Sequence, residues 1–106
     1  MRPDVRLTPR AEADLEDIWR YSAEVWGKSR AETYLRTIIG HIESLASVQT
    51  LGRDCSDIRE GYRRLNAGSH ILFYRLEADG PIIVRVLHQR MDVTRQLGPD
   101  LAGETD

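Results

Sequence analysis

The second half of the chain contains three strand-like runs separated by two short segments that each include a glycine. The segments are Ala67-Gly-Ser69 and Ala78-Asp-Gly80, and both have the length and composition of β-hairpin turns. This pattern limits the fold strongly, because strands joined by tight turns must pair antiparallel. It predicts a three-stranded antiparallel meander formed by Ile58 to Asn66, His70 to Glu77 and Pro81 to Gln89.

The last of these runs is the most apolar. Because both of its faces are apolar, it is expected to be the central, most covered strand of the sheet. It leads straight into the polar sequence His88-Gln-Arg-Met-Asp92, which should lie at a sheet margin where a partner can reach it. Strand alternation predicts that its two faces carry, respectively, Ile82, Val84 and Val86, and Ile83 and Leu87.

The first half of the chain predicts a short strand followed by a helix. Residues Val5 to Thr8 alternate as a strand, and Thr8 followed by Pro9 is a favourable helix start, with Thr as the N-cap and Pro at the first helical position. Apolar residues then recur at helical spacing as far as Trp26. A first helix is therefore expected from Pro9 to Trp26, with Trp19 and Trp26 in the core.

A second amphipathic helix is expected to follow almost at once. Gly27 can supply a left-handed cap for the first helix, and Ser29-Arg-Ala-Glu32 has the spacing of a capping box that starts the next one. The apolar stripe of this helix ends near Val48, and two helices joined so closely form an antiparallel hairpin. The whole pattern predicts an α+β fold: a short N-terminal strand, and a two-helix hairpin packed on a mainly antiparallel sheet of three to four strands.

Length and composition favour one soluble domain. The 106 residues can bury a single modest core, and the longest apolar runs are far shorter than the roughly 20 residues of a membrane span. Because the N-terminus has no signal-peptide pattern, we expect a cytoplasmic protein. Residues 1–97 should form the domain, and residues 98–106 a flexible acidic tail. The turn-rich segment 49–57 is expected to be an exposed connector that carries the single cysteine, Cys55, as a free loop thiol.

The cations of the sheet half are all arginine. Residues 58–97 contain seven arginines and four acids, although the whole chain has a formal net charge of −2. Arginine offers a planar fork that suits carboxylates, phosphates and aromatic rings, which favours a role in recognition. The overall acidity argues against a protein that binds nucleic acid by itself. Five arginines could form a binding face or could pair with acids of the first helix and the connector: Arg63, Arg64, Arg75, Arg85 and Arg90.

Two histidines allow an enzymatic interpretation. His70 begins one strand and His88 ends the next, and with nearby arginines they have the residue types of an acid–base site for RNA cleavage. We favour the simpler interpretation that both cap strand ends by hydrogen bonding, because isolated residue types are weak motifs. The sequence contains no metal-ligand spacing and no cofactor-binding motif. Tyr21 and Tyr34 lie at the edges of the helix stripes and are candidates for a groove that accepts a partner helix.

Segments along nearly the whole chain up to Leu97 resemble the ParE toxins, the plasmid-stabilisation type of the ParE/RelE toxin–antitoxin superfamily. The predicted order of strand, helical hairpin and meander is also that of this superfamily. The resemblance is carried, in chain order, by Leu7 to Trp19, Trp26-Gly27, Leu51 to Arg53, Gly61 to Leu65, Ser69 to Arg75 and Val86 to Asp92.

The resemblance implies a toxin that inhibits DNA gyrase and so blocks replication. It also implies a ParD-like antitoxin that neutralises the toxin by direct binding, in a heterotetramer or a larger complex. Contacts with gyrase are expected at Arg64, Arg75, His88, Arg90, Met91 and Asp92. Contacts with the antitoxin are expected at Tyr21, Tyr34, Ile38 and Arg63.

The alternative is the RelE branch of the superfamily, whose members cleave messenger RNA on the ribosome with basic residues on the sheet and a tyrosine near the C-terminus. Here the segment from Met91 to Leu97 has no tyrosine. A lone arginine such as Arg90 cannot both activate the attacking hydroxyl and protonate the leaving group. The expectation is a non-enzymatic inhibitor that needs no cofactor or metal, does not bind DNA alone and does not enter a membrane.

Overall fold

Two helices and five strands make up the described part of the chain. The computed structural model describes residues 5–90. Within that range neither helix is long and apolar enough to cross a membrane. The elements are β1 (Arg6–Leu7), α1 (Pro9–Trp26), α2 (Lys28–Ser47), β2 (Arg53–Asp54), β3 (Tyr62–Ala67), β4 (His70–Glu77) and β5 (Gly80–His88).

The strands form one sheet in the order β1-β5-β4-β3-β2. β1 pairs with β5 in parallel, and all other pairs are antiparallel. The predicted α+β architecture and the meander are therefore confirmed. Two details differ: the sheet has a fifth strand, β2, and its middle strand is β4. β5 is nevertheless well covered, since seven of its nine residues are buried.

The points where the helices begin and end depend more on backbone conformation than on side-chain caps. Thr8 caps α1 as predicted, because its side-chain oxygen accepts a hydrogen bond from the backbone N–H of Ala11. Gly27 has a positive φ of 92° but an extended ψ of 160°, so it is not a left-handed cap, and it serves both as the C-cap of α1 and as the N-cap of α2. The predicted capping box does not form, because α2 begins at Lys28 and Ser29 already lies inside it.

The sheet has an apolar cluster on each side. The helix-facing cluster joins α1 and α2 to the sheet through residues such as Ile38 and Tyr74. The cluster on the far side contains Phe73 and Val84. An irregularity between β4 and β5 pairs Phe73 with Arg85 but Tyr74 with Ile83, so that Val84 is an extra residue. Val86 consequently packs on the helix-facing side and Val84 on the far side, and the predicted grouping of these two valines on one face is wrong.

Two further expectations about burial are corrected. Cys55 lies in the connector as predicted and makes no disulfide, but only 2% of its surface is exposed. It packs in the far-side cluster, and burial raises the pKa of its thiol, which makes it a packing residue rather than a reactive one. Trp26 is 47% exposed and so is not a core residue, while Trp19 is only partly buried.

Candidate functional site

Tyr34 connects the helical hairpin to the turn between β3 and β4. Its hydroxyl accepts a hydrogen bond from the backbone N–H of Ser69 at 2.9 Å and lies 2.7 Å from Nδ1 of His70. Its ring also covers Gly68, where an added Cβ would lie 2.8 Å from the ring. Gly68 has a φ of +65°, so both conformation and space require glycine at this turn. The orientation of Tyr34 is therefore fixed by three residues of the turn.

The two histidines of the enzymatic interpretation, His70 and His88, lie side by side. His70 and His88 are directly paired across β4 and β5, and their ring centroids are 5.2 Å apart at an interplanar angle of 82°. Both rings take part in hydrogen bonds at strand ends, since Nδ1 of His88 accepts from the backbone N–H of Arg90 at 3.1 Å. Burial, and to a lesser extent the charge of His88, lowers the pKa of His70 to about 4. His70 is therefore neutral at pH 7.

The lowered pKa of His70 can be tested by measuring stability as a function of pH. In the unfolded chain a histidine has a pKa near 6.5, so between about 6.5 and about 4 the unfolded state takes up a proton that the folded state excludes. The contribution of neutral His70 to stability should be present above pH 6.5 and should be lost as the pH falls toward 4. We expect the urea midpoint to fall more steeply over this range in the parent protein than in His70→Gln. Equal pH dependence in the two proteins would contradict the buried, neutral histidine.

A cavity of about 350 Å³ opens beside the histidine pair. It is enclosed by α1, by the start of α2 and by the adjoining ends of β4 and β5. Trp26 stands edge-on to Tyr34 with centroids 6.1 Å apart, and the guanidinium carbon of Arg30 lies 5.7 Å from the centroid of the Trp26 ring. The structure thus brings two predicted antitoxin contacts and one predicted gyrase contact to a single cavity. Its lining residues are Asp17, Ile18, Tyr21, Ser22, Trp26, Tyr34, Ser69, His70 and His88.

The other predicted antitoxin contacts lie elsewhere. Ile38 has no exposed surface and belongs to the helix-facing core, so its assignment as a surface contact is corrected. Arg63 donates hydrogen bonds to the carbonyl oxygens of Gly52 and Thr50 at 2.6 and 3.3 Å. Its guanidinium therefore attaches the connector to β3.

The arginines predicted as a binding face fall into separate groups. Arg64 and Arg75 lie on the far side of the sheet, where Arg64 sits over the ring of Phe73 and Arg75 donates to the hydroxyl of Tyr62 at 3.1 Å. Arg75 also forms an ion pair with Glu77. His88 lies on the opposite, helix-facing side, so the sheet separates it from Arg64 and Arg75. Arg90 is exposed at the end of the described chain, and Met91 and Asp92 lie outside the described residues.

Arg85 is a structural cation. Its guanidinium makes two hydrogen bonds to the carboxylate of Asp14 on α1, at 2.8 and 3.0 Å, and the side chains are only 9% and 14% exposed. The same carboxylate accepts from the backbone N–H of Val86 at 2.9 Å. Arg85 therefore pairs with an acid of the first helix, which is one of the two roles predicted for the arginines, and it is not part of a binding face. The role of Asp14 was not predicted from the sequence. A signal for this buried pair was present, namely an acid beside the apolar stripe of a helix together with one arginine inside an apolar strand.

Within residues 5–90 no group of three or more His, Cys, Asp or Glu is placed to hold a metal ion. The described site consists of an aromatic cavity beside the paired rings of His70 and His88. Such an arrangement can accept a side chain or a segment of a partner.

Comparison with known proteins gives one consistent result. The model of a family described as the ParE toxin of the type II toxin–antitoxin system parDE matches residues 5–93. The chain is 52% identical over 92 residues to Toxin ParE1 of Mycobacterium tuberculosis, covering 86% of this chain and 94% of the relative. It is 45% identical over 98 residues to Toxin ParE1 of Caulobacter vibrioides, covering 92% of this chain and all of the relative.

A solved structure shares the fold. A chain from a chromosomal ParDE TA system of P. aeruginosa superimposes with a TM-score of 0.72 at 21% identity, over 80% of this chain and 94% of that one. The architecture of helical hairpin and sheet is therefore common to both.

Proposed function

Because this chain belongs to the ParE toxin family of type II toxin–antitoxin systems, we propose that it inhibits DNA gyrase and is neutralised by direct binding of a ParD-like antitoxin. The observation that carries the proposal is the family match over residues 5–93, which includes every described element. We place both binding events in the cytoplasm, and we propose a heterotetramer or larger complex with the antitoxin.

The helical hairpin offers the surface on which we place the antitoxin. Its exposed side bears large apolar residues, among them Tyr21 at 64% exposure, Val25 at 52% and Ile39 at 39%. On α1 and α2, Leu15, Trp19 and Leu35 line a groove of about 560 Å³. Large apolar residues exposed on a surface are typical of sites that a partner covers. A helix of the antitoxin laid along this hairpin would cover the groove and reach the aromatic cavity.

Tyr21 is the residue with which to test this surface. Tyr21→Ala should weaken the antitoxin complex about tenfold or more, because large aromatic residues dominate the energy of most interfaces. Tyr34 is a poorer choice, since its hydrogen bonds to the β3–β4 turn mean that a substitution would also disturb the fold. The measurement is isothermal titration calorimetry of each variant with the antitoxin.

Leu76→Ala is the matched control. Leu76 is also an exposed apolar residue, at 41%, but it lies on the sheet, near the end of β4. Its substitution should change the affinity by less than about twofold. Equal effects of the two substitutions would place the antitoxin elsewhere.

Gyrase inhibition is tested by a supercoiling assay with purified gyrase, relaxed plasmid and ATP. We expect loss of supercoiling with accumulation of linear, protein-linked plasmid. Arg90→Ala should restore much of the supercoiling, because Arg90 is exposed just after β5, where we place the gyrase contact. Met91 and Asp92, which belong to the same proposed contact, lie outside the described residues. Arg36→Ala, which removes an exposed arginine of α2, is the control.

A translation extract run in parallel decides the alternative. Fragmented messenger RNA with unaffected gyrase would overturn the gyrase proposal. It would make the chain a ribosome-dependent nuclease, with His70, His88 and Arg90 as the next residues to replace.

A further inference from the structure

Two arginines stand directly opposite each other at the outer edge of the sheet. Arg53 of β2 is the register partner of Arg64 of β3. Side chains of such partners point to the same face, with Cβ atoms about 4.5–5.5 Å apart. Like charges in this position destabilise a sheet. Among residues 5–90 neither guanidinium has an ion pair or a hydrogen bond to compensate the repulsion.

Arg64 also has an unused donor. Its Nε is buried and has no hydrogen-bond partner. Its guanidinium carbon lies 5.9 Å from the centroid of the Phe73 ring, which is fully buried and therefore holds the side chain in place. A buried donor without an acceptor costs free energy. The side chain is thus oriented by a rigid neighbour while its hydrogen-bonding capacity is unfilled.

The backbone holds the two arginines in register. Gly52, just before β2, donates its N–H to the hydroxyl of Tyr74 at 2.9 Å. An added Cβ on Gly52 would lie 2.5 Å from the carbonyl oxygen of Arg64, so only glycine permits this close approach. Arg63 adds its hydrogen bond to the Gly52 carbonyl. The like-charge pair is therefore held in position by close contacts of the folded chain.

We propose that Arg53 and Arg64 form a binding site for one phosphate group of the DNA on which the target enzyme acts. This inference rests on the proposed function. Two guanidinium forks can hold one oxyanion from two directions through their outer N–H groups, which would remove their mutual repulsion. Arg53 is exposed and β2 is the edge strand, so the site suits a phosphate on a large polyanion better than a small ligand that needs a deep pocket.

The charge of the chain explains how such a site would work. With a formal net charge of −2, the protein gains too little from phosphate contacts to bind DNA by itself. A single phosphate contact adds affinity only when gyrase already holds the DNA beside the toxin. The site would therefore distinguish gyrase engaged on DNA from free gyrase.

The experiment measures the affinity of the toxin for gyrase alone and for gyrase bound to a linear DNA fragment. Arg53→Gln, which removes the member of the pair that is not among the expected gyrase contacts, should weaken binding to the gyrase–DNA complex about tenfold and leave binding to free gyrase unchanged. It should also reduce the slope of log affinity against log salt concentration by about one. Arg36→Gln, which removes one positive charge from an exposed position on α2, should do neither. Identical results for the two variants would overturn the site.

A second arm uses inorganic phosphate and does not depend on gyrase. In the toxin alone, the Nε–H signal of Arg64 in the NMR spectrum should shift with phosphate and reach saturation, and sodium chloride at equal ionic strength should not reproduce the shift. If the toxin fails to bind gyrase but this shift is seen, the proposed function falls and the phosphate site stands. Absence of a saturable shift overturns the site. A loss of antitoxin affinity in Arg53→Gln without any phosphate response would assign the arginines to an acidic segment of the antitoxin, and would also overturn the phosphate site.

Discussion

Asp14→Ala is expected to lower the free energy of unfolding by about 3 kcal/mol. The substitution removes both hydrogen bonds that the Asp14 carboxylate accepts from the Arg85 guanidinium, and it removes the acceptor of the Val86 backbone N–H. Arg85 is only 8% exposed, so water cannot replace the lost carboxylate without opening the contact between α1 and β5. A loss of this size is a large fraction of the roughly 5–15 kcal/mol that stabilises an ordinary domain.

Asp17→Ala is the control, and urea unfolding of both variants is the measurement. Asp17 is on the same helix and also pairs with an arginine, Arg20, at 3.0 Å, but both side chains are largely exposed. Its loss should cost less than about 0.5 kcal/mol, because exposed ion pairs contribute little. If Asp14→Ala were as mild as Asp17→Ala, the Asp14–Arg85 pair would not be the structural connection described above.

Gly52→Ala is expected to destabilise the protein by about 2 kcal/mol. The added methyl would lie 2.5 Å from the carbonyl oxygen of Arg64 and 2.7 Å from the hydroxyl of Tyr74. Neither group can move freely, since one is backbone within the sheet and the other belongs to a fully buried side chain that also donates to the Gln49 carbonyl. The connector must therefore move away from the sheet, and β2 with it.

Gly40→Ala also adds one methyl group to a glycine, but it is expected to raise the stability of the protein. Gly40 lies in the exposed part of α2, and an added Cβ would meet nothing within 4 Å. Alanine favours the helix over glycine by up to about 1 kcal/mol, so this variant should be more stable than the parent. Denaturant midpoints of the two variants on opposite sides of the parent value would confirm that close contact at Gly52 causes the loss. Gly52→Ala at the parent midpoint would contradict it.

The periodic parts of the chain could be predicted from sequence. The bounds predicted for α1 and β4 are those observed, because a side-chain cap and regular spacing act locally. The strand predicted for Val5 to Thr8 is present as the two-residue β1, which pairs with the last strand. β3 was predicted to begin at Ile58 but begins at Tyr62. The residues before it form turns that end at Gly61, whose φ is +83°, and this conformation is not readable from the apolar pattern.

The features that sequence did not predict depend on contacts between distant residues. The two residues of β2 are a strand only because β3 lies beside them, and their own composition is that of a loop. The extra residue at Val84 changes which face of the sheet the neighbouring side chains of β5 occupy, and the apolar pattern of the sequence does not reveal it. The histidine pair could be anticipated from hairpin geometry, but its junction with Tyr34 needed the packing of α2 against the β3–β4 turn.

The pairing of the first strand with the last has a consequence for synthesis of the toxin. The Thr8 hydroxyl that helps to cap α1 donates to the Val84 carbonyl, across a sequence separation of 76 residues, and the Asp14–Arg85 pair spans 71. Neither contact can form while β5 is still inside the ribosome, and such distant contacts close late in folding. A nascent or prematurely terminated chain therefore lacks the docked helical hairpin. The complete arrangement of hairpin and sheet, with any activity that depends on it, therefore forms only after β5 has been synthesised.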